Sequence, residues 1–323
     1  MSDQPVFGAG SHRSSKGSAS NVTLFRRLIG LTVVGVALAI IYFAVKPLNH
    51  AIRLTFENPA ATEQYAVVSS KGLTLAGTSK VLPIGGGEMK DPYAVTVGDW
   101  FAFCDRRSLS VTLVNPKGSS ENIQINQQFG ESDRILRLYP AAAGVYVVIQ
   151  DLSDTASVRA ATRPTKTLYV KFDKTSETVS EDQAVEPNPG GNQFVSRAID
   201  GTFTWNEGGT PTVLAKLQDA VIWSTDFGAK VVAVAGDKSV TIINNGKQSS
   251  FTPAMAHRVT DVRVRPDLQE IWVAVAKMGG GTGVLAYDYT GNFKSFKANS
   301  KDNLYGPYTP KSPAVDALLA QVQ

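Results

Sequence analysis

The side chains of this sequence best able to do acid, base or cation chemistry are four aspartates, Asp151, Asp154, Asp226 and Asp261. Converging on one channel, such carboxylates would hold an ion or a sugar; scattered, each would cap a turn, because a short carboxylate accepts readily from nearby backbone amides. Turn capping is the expectation. Cys104 would need a histidine as its base to act as a nucleophile, and of His12, His50 and His257 only the last shares its part of the chain. Its setting, Trp100-Phe101-Ala102-Phe103-Cys104, predicts a buried strand and an inert thiol. As the single cysteine it closes no intramolecular disulfide, so packing must hold its domain together. No G-x-S-x-G, H-E-x-x-H, Walker or calcium-loop pattern occurs. Gly279 to Gly283 and Gly85 to Gly87 come nearest to a phosphate cradle. The first leads into the strand-like Val284-Leu285-Ala286-Tyr287 and not into a helix whose N-terminus would hold an anion, so both predict hairpin turns. No catalytic residue, cofactor site or metal site is assigned. Trp205, Tyr305 and Tyr308 are candidates for an exposed aromatic patch, whereas Trp100 and Trp272 lie in apolar strands and are expected in the core.

One stretch decides where any such chemistry would take place. Leu28 to Val45 carries no charge, and at ~1.5 Å of helical rise per residue it spans roughly 27 Å, close to the ~30 Å hydrocarbon thickness of a bilayer. Leu28, Ile29, Leu31, Val33, Val34, Val36, Leu38, Ile40, Ile41 and Phe43 supply its apolar surface. Bulky residues and Lys46-Pro47-Leu48 follow it without an Ala-x-Ala site, which predicts an uncleaved signal anchor. Arg26 and Arg27, with Arg13 and Lys16 before them, place the N-terminus in the cytoplasm and the large C-terminal part in the periplasm, cell exterior or a lumen. Gly35 and Ala39 make a small-xxx-small pair, read as ordinary lipid-facing residues with helix pairing to a partner as the alternative.

The charge is also partitioned by this stretch. Of the net +4, residues 1–27 carry three, which leaves about +1 outside and no clustered Lys and Arg, so a nucleic-acid partner is not expected. The Ser-, Gly- and Lys-rich start of the chain is expected to be disordered.

Beyond the anchor the pattern becomes period two. Tyr65 to Val68, Tyr93 to Val97, Ser110 to Val114, Val145 to Ile149 and Thr167 to Phe172 are short, β-branched or aromatic runs between turn residues. They continue as Ala220 to Trp223, Val231 to Val234, Ser239 to Ile243, Val262 to Val264, Ile271 to Val275 and Val284 to Tyr287. Asn244-Asn245-Gly246-Lys247 predicts a type I′ hairpin. No helix of ordinary length interrupts the strands, so the fold is antiparallel all-β. Asp219 to Phe227 is echoed about 41 residues later from Thr260, and segments starting near Asp91 and Asp133 fit the same spacing, as a four-stranded propeller blade would. Residues 179–218 fit poorly, with Glu186 to Gly191 read as a long loop. Ser312-Pro313, followed by Val315, Leu318, Leu319 and Val322 on one face, predicts a short amphipathic helix. Its Leu318 and Leu319 either pack on their own domain or dock onto a partner.

Within Val262 to Phe296, Pro266-Asp267, Ile271-Trp272-Val273-Ala274, Gly279-Gly280-Gly281, Tyr287-Asp288 and Gly291-Asn292 occur in the order of a propeller blade. The segment resembles the degenerate blades of β-propellers of the YVTN, NHL and WD40-like kind. That resemblance implies a propeller and interaction more often than catalysis. At about 40 residues each, the roughly 275 residues past the anchor would make six or seven blades; two β-sandwich domains are the alternative. The expected organisation is a tail (1–23), a transmembrane helix (24–46), a linker (47–64), a propeller-like external domain (65–298) and a C-terminal extension (299–323). The function expected is a non-catalytic binding or assembly module, anchored in the lipid bilayer and displayed outside it, with a protein partner in a membrane or envelope complex. A tethered hydrolase or lyase with channel carboxylates is the alternative.

Overall fold

The computed structural model describes residues 65–321 apart from 70, 76–80, 85–88, 126–132, 151–164, 219–221, 255, 278–279, 301–308 and 311. All of these belong to one compact unit, Leu54–Gln323. The anchor segment 28–45, Arg26, Arg27, Gly35 and Ala39 lie outside the described residues, as do Asp151, Asp154, Tyr305 and Tyr308. Among the described residues no helix is long and apolar enough to cross a membrane.

Twenty strands form five antiparallel sheets of four, each a simple meander. With β1 (Tyr65–Ser69) and β2 (Gly72–Leu75) preceding it, blade 1 holds β3 (Pro92–Val97), β4 (Trp100–Asp105), β5 (Ser110–Val114) and β6 (Ser120–Gln124). Blade 2 holds β7 (Arg134–Ala141), β8 (Gly144–Gln150), β9 (Thr165–Lys171) and β10 (Ser176–Ser180). Blade 3 holds β11 (Gln183–Pro187), β12 (Phe194–Ala198), β13 (Thr202–Glu207) and β14 (Thr210–Lys216). Blade 4 holds β15 (Ile222–Asp226), β16 (Val231–Ala235), β17 (Val240–Asn244) and β18 (Lys247–Phe251). Blade 5 holds β19 (Ala256–Arg265), β20 (Glu270–Lys277), β21 (Thr282–Tyr287) and β22 (Phe293–Ser300).

Burial explains the sequence of each blade. All five residues of β16 (VVAVA) are buried, so both faces of this strand are apolar, while β18 (KQSSF) has four exposed residues and is polar. Between them, Asn245 and Gly246 take φ of 48° and 78°, the two positive angles of a type I′ turn, and Asn244 pairs with Lys247.

Adjacent blades are joined in a ring by hydrogen bonds, three of them between first strands and two that use Arg106, just after β4, and Thr167 of β9. Ile135 N donates to Arg106 O (3.0 Å), Thr167 Oγ1 to Gln183 O (2.8 Å), Thr225 N to Glu186 Oε1 (3.0 Å) and Val264 N to Ser224 Oγ (3.1 Å). Arg263 Nη2 then reaches Ala94 O (2.5 Å), returning from blade 5 to blade 1. This closed succession of meanders is a β-propeller with five four-stranded blades.

The count corrects the expectation of six or seven. Residues at both ends that would have filled further blades instead build a three-stranded sheet, β2-β1-β23, in which Thr309–Pro310 (β23) pairs with Tyr65 and Ala66. The end of the chain returns as α1 (Pro313–Ala320), capped by Ser312, whose Oγ accepts from Val315 N (3.3 Å). Ala314, Val315 and Leu318 enter a cluster with Val68, Leu73, Phe101 and Phe103, and Leu319 packs against it. Residues 179–218 are also corrected: they contain a regular blade, whose first loop is only Asn188 to Gln193.

Candidate functional site

Successive first strands carry polar residues to the centre of the ring. Tyr93 comes from β3, Arg137 and Tyr139 from β7, Glu186 from β11, Thr225 from β15, and Asp261 and Arg263 from β19. Arg137 Nη1 donates to Asp261 Oδ1, and its Nη2 donates to Val262 O (2.6 Å). Its guanidinium lies 5.2 Å from the Tyr139 ring centroid and 5.8 Å from that of Tyr93, which Arg263 also faces at 5.1 Å. Tyr139 Oη donates to Trp223 O (2.9 Å). Glu186 Oε2 accepts from Thr225 Oγ1 (2.6 Å), while its Oε1 accepts the Thr225 amide.

Burial sets the electrostatics here. It pushes the Glu186 carboxyl up to about 7, against the opposing pull of the Thr225 hydroxyl and Arg137. Burial also raises the Tyr93 and Tyr139 phenols, with Arg137 working the other way. For Arg137 itself burial is the largest influence and opposes the charge, but Asp261, Tyr93, Tyr139 and Glu186 together outweigh it and the guanidinium is held protonated. The centre is knitted largely by its own side chains, with Tyr93 Oη, Arg137 Nε and Asp261 Oδ2 buried and without a hydrogen-bond partner among the described residues.

Of the four aspartates two are described, and those two do not converge. Asp261 lies in this centre, whereas Asp226 caps the β15–β16 turn, its Oδ1 accepting from Gly228 N (2.9 Å) and Ala229 N (3.0 Å) and its Oδ2 from Tyr289 Oη (2.6 Å). Cys104 is buried, which raises its thiol far above the usual range, and His257 is exposed. Trp272 is buried as expected; Trp100 is half-buried and stacks on Phe172 at 4.2 Å. Leu318 and Leu319 face their own domain.

A second feature lies between the outer halves of blades 3 and 4. A cleft of about 470 Å³ is bounded by Trp205, Glu207, Thr210 and Thr212 on one side and by Lys230 and the Asn245–Gly246 turn on the other. Trp205, expected at the surface, is 94% buried in its wall, being 6% exposed, and packs on Phe227 at 5.4 Å. Glu207 Oε2 accepts from Lys230 Nζ (3.1 Å) and Trp205 Nε1 (3.3 Å), and its Oε1 accepts from Gln193 Nε2 (2.8 Å). These hydrogen bonds, that from Gln193 first, lower the Glu207 carboxyl below its ordinary value. The sequence singles out Trp205 and the Asn244 to Lys247 hairpin separately, and nothing in it brings them to one cleft.

No family model matches the chain, and no curated protein matches it. Solved structures do. TolB from Acinetobacter baumannii is similar with a TM-score of 0.53 at 12% identity, over 76% of this chain and 65% of that one. The nidogen/laminin complex matches with a TM-score of 0.52 at 10% identity, over 76% of this chain and 97% of that one. At such identities the likeness is one of fold, and the fold shared is the β-propeller.

Proposed function

We propose that this chain is a single-pass membrane protein, N-terminus inside, that displays its propeller outside the membrane as a non-catalytic binding or assembly module. The observation that carries this reading is the occupied centre. A propeller enzyme working from its channel needs groups there that are turned toward a substrate, and here Arg137 meets Asp261 while Glu186 meets Thr225. What the domain offers to other molecules is its periphery, where β6, β10, β14 and β18 are mostly exposed. The uncharged stretch from Leu28 to Val45 and the arginines before it support the anchor and its orientation. Recovery of a stoichiometric partner after mild solubilisation of the native membrane is the test, together with a C-terminal reporter that is active only outside the cytoplasm.

A further inference from the structure

We infer that the centre of the propeller is a binding site for a small monovalent anion, held beside Tyr93 by Arg137 and Arg263. Such an ion is a further resident of the centre and not a substrate, so the assembly reading stands beside it. Two β-bulges shape the site. The pairing of β7 with β8 slips between Ile135 and Arg137, and that of β19 with β20 between Val259 and Asp261. One extra residue therefore stands just before each member of the buried ion pair, the kind of irregularity that re-aims a side chain.

Three guanidinium groups then surround one phenol. Those of Arg106, Arg137 and Arg263 lie 5.7, 5.8 and 5.1 Å from the Tyr93 ring centroid. Arg106 meets Asp91 (2.7 Å) and Arg137 meets Asp261. Arg263 donates to Ala94 O and, among the described residues, has no carboxylate within ion-pair distance.

Charge and donors both select the ligand. Three cations against two carboxylates leave one positive charge unmatched, which is costly away from water. Tyr93 does not supply the missing charge, because burial raises its phenol and keeps it protonated. Glu186 does not answer it either, since both its oxygens accept from Thr225 and burial favours its neutral form. Tyr93 Oη, Arg106 Nε and Arg137 Nε are buried donors without a partner among the described residues, against one such acceptor in this group, Asp261 Oδ2. A water molecule would answer the donors but not the charge. A metal cation would face three guanidinium groups, and a divalent oxyanion would exceed the single charge and crowd Asp261 Oδ2. A halide or a small carboxylate is the complement. Arg263 is half-buried, which gives such an ion a way in along the central channel.

The full-length protein in lipid nanodiscs, dialysed at neutral pH into sodium gluconate, tests this when the bulky gluconate is replaced by chloride, bromide, formate or sulfate at constant ionic strength. Isothermal titration calorimetry reads binding, and the melting temperature reads its effect on the fold. Saturable binding and a saturable rise in melting temperature are expected with a halide or formate, and neither with sulfate. Arg263→Gln removes the unmatched charge and should weaken binding at least about tenfold without lowering the melting temperature of the ion-free protein. Tyr93→Phe removes one donor and should weaken binding about fivefold. The inference is overturned if none of the small monovalent anions binds saturably or if sulfate binds as well as they do. It is equally overturned if Arg263→Gln and Tyr93→Phe both bind like the wild type, which would mark an adventitious ion only.

Discussion

Arg137 and Asp261, 124 residues apart, form a buried ion pair across the centre of the propeller and tie blade 2 to blade 5, which are not neighbours in the chain. Two charges taken out of water stabilise little as a pair, but removing one strands the other. Asp261→Ala is therefore expected to cost about 3–5 kcal/mol in urea unfolding, and Arg137→Met combined with Asp261→Leu to cost clearly less than the sum of the singles. Single and double variants unfolding like the wild type would show that the pair does not hold the centre.

Glu186 gives the domain a pH dependence of defined sign. Its folded-state value of about 7 lies above the ordinary 4.5, so the folded protein binds this proton more tightly than the unfolded chain. The resulting stability is fully present below pH ~4.5 and is lost as pH rises through ~7, in total about 3 kcal/mol. Melting temperatures measured from pH 4.5 to 8 should fall for the wild type and fall less for Glu186→Gln, which keeps the shape without the titration. Parallel curves would rule this carboxyl out as the source.

Two glycines separate backbone strain from collision. At Gly246, φ is 78° and an added Cβ meets nothing within 4 Å, so Gly246→Ala should cost only about 1 kcal/mol. At Gly144 the added Cβ would lie 2.1 Å from Val170 O and 2.8 Å from Lys171 Cα in the neighbouring strand. Gly144→Ala must push β8 away from β9 and should cost more than about 3 kcal/mol. Thermal unfolding of the two variants, compared directly, checks the order.

The C-terminal helix is part of the core. Leu318→Ala should destabilise by about 2–3 kcal/mol, and Ser312→Ala by about 1 kcal/mol through loss of its cap to Val315 N. An unchanged melting temperature for Leu318→Ala would release this face for docking to a partner.

The strands legible in the sequence were those buried on at least one face. Tyr93 to Val97, Val231 to Val234 and Ile271 to Val275 all lie in strands, and the spacing of about 41 residues aligned β15 with β19, which meet through Ser224 and Val264. The outer strands were not legible, because β6 (SENIQ), β10 (SETVS) and β18 (KQSSF) face solvent and need no apolar period. Blade 3 was hidden for another reason. Its inner strands bury Glu186 and Arg197, the latter donating to Ala198 O and Gln218 O, so polar letters stand where a core is normally read. Asp261 could be picked out as a channel carboxylate, but its partner Arg137 comes from a repeat too divergent to place residue by residue. The cleft was invisible for the same kind of reason, since it is assembled from Trp205, Glu207 and Lys230 of two blades whose register only the fold sets.

Solubilising the full-length protein from its native membrane in mild detergent, and identifying by mass spectrometry what stays with it at fixed stoichiometry, tests the assembly function most directly. A constant protein partner bound to a membrane-extracted chain is the expected result. A monodisperse chain with no partner, or one recovered without detergent, would contradict it.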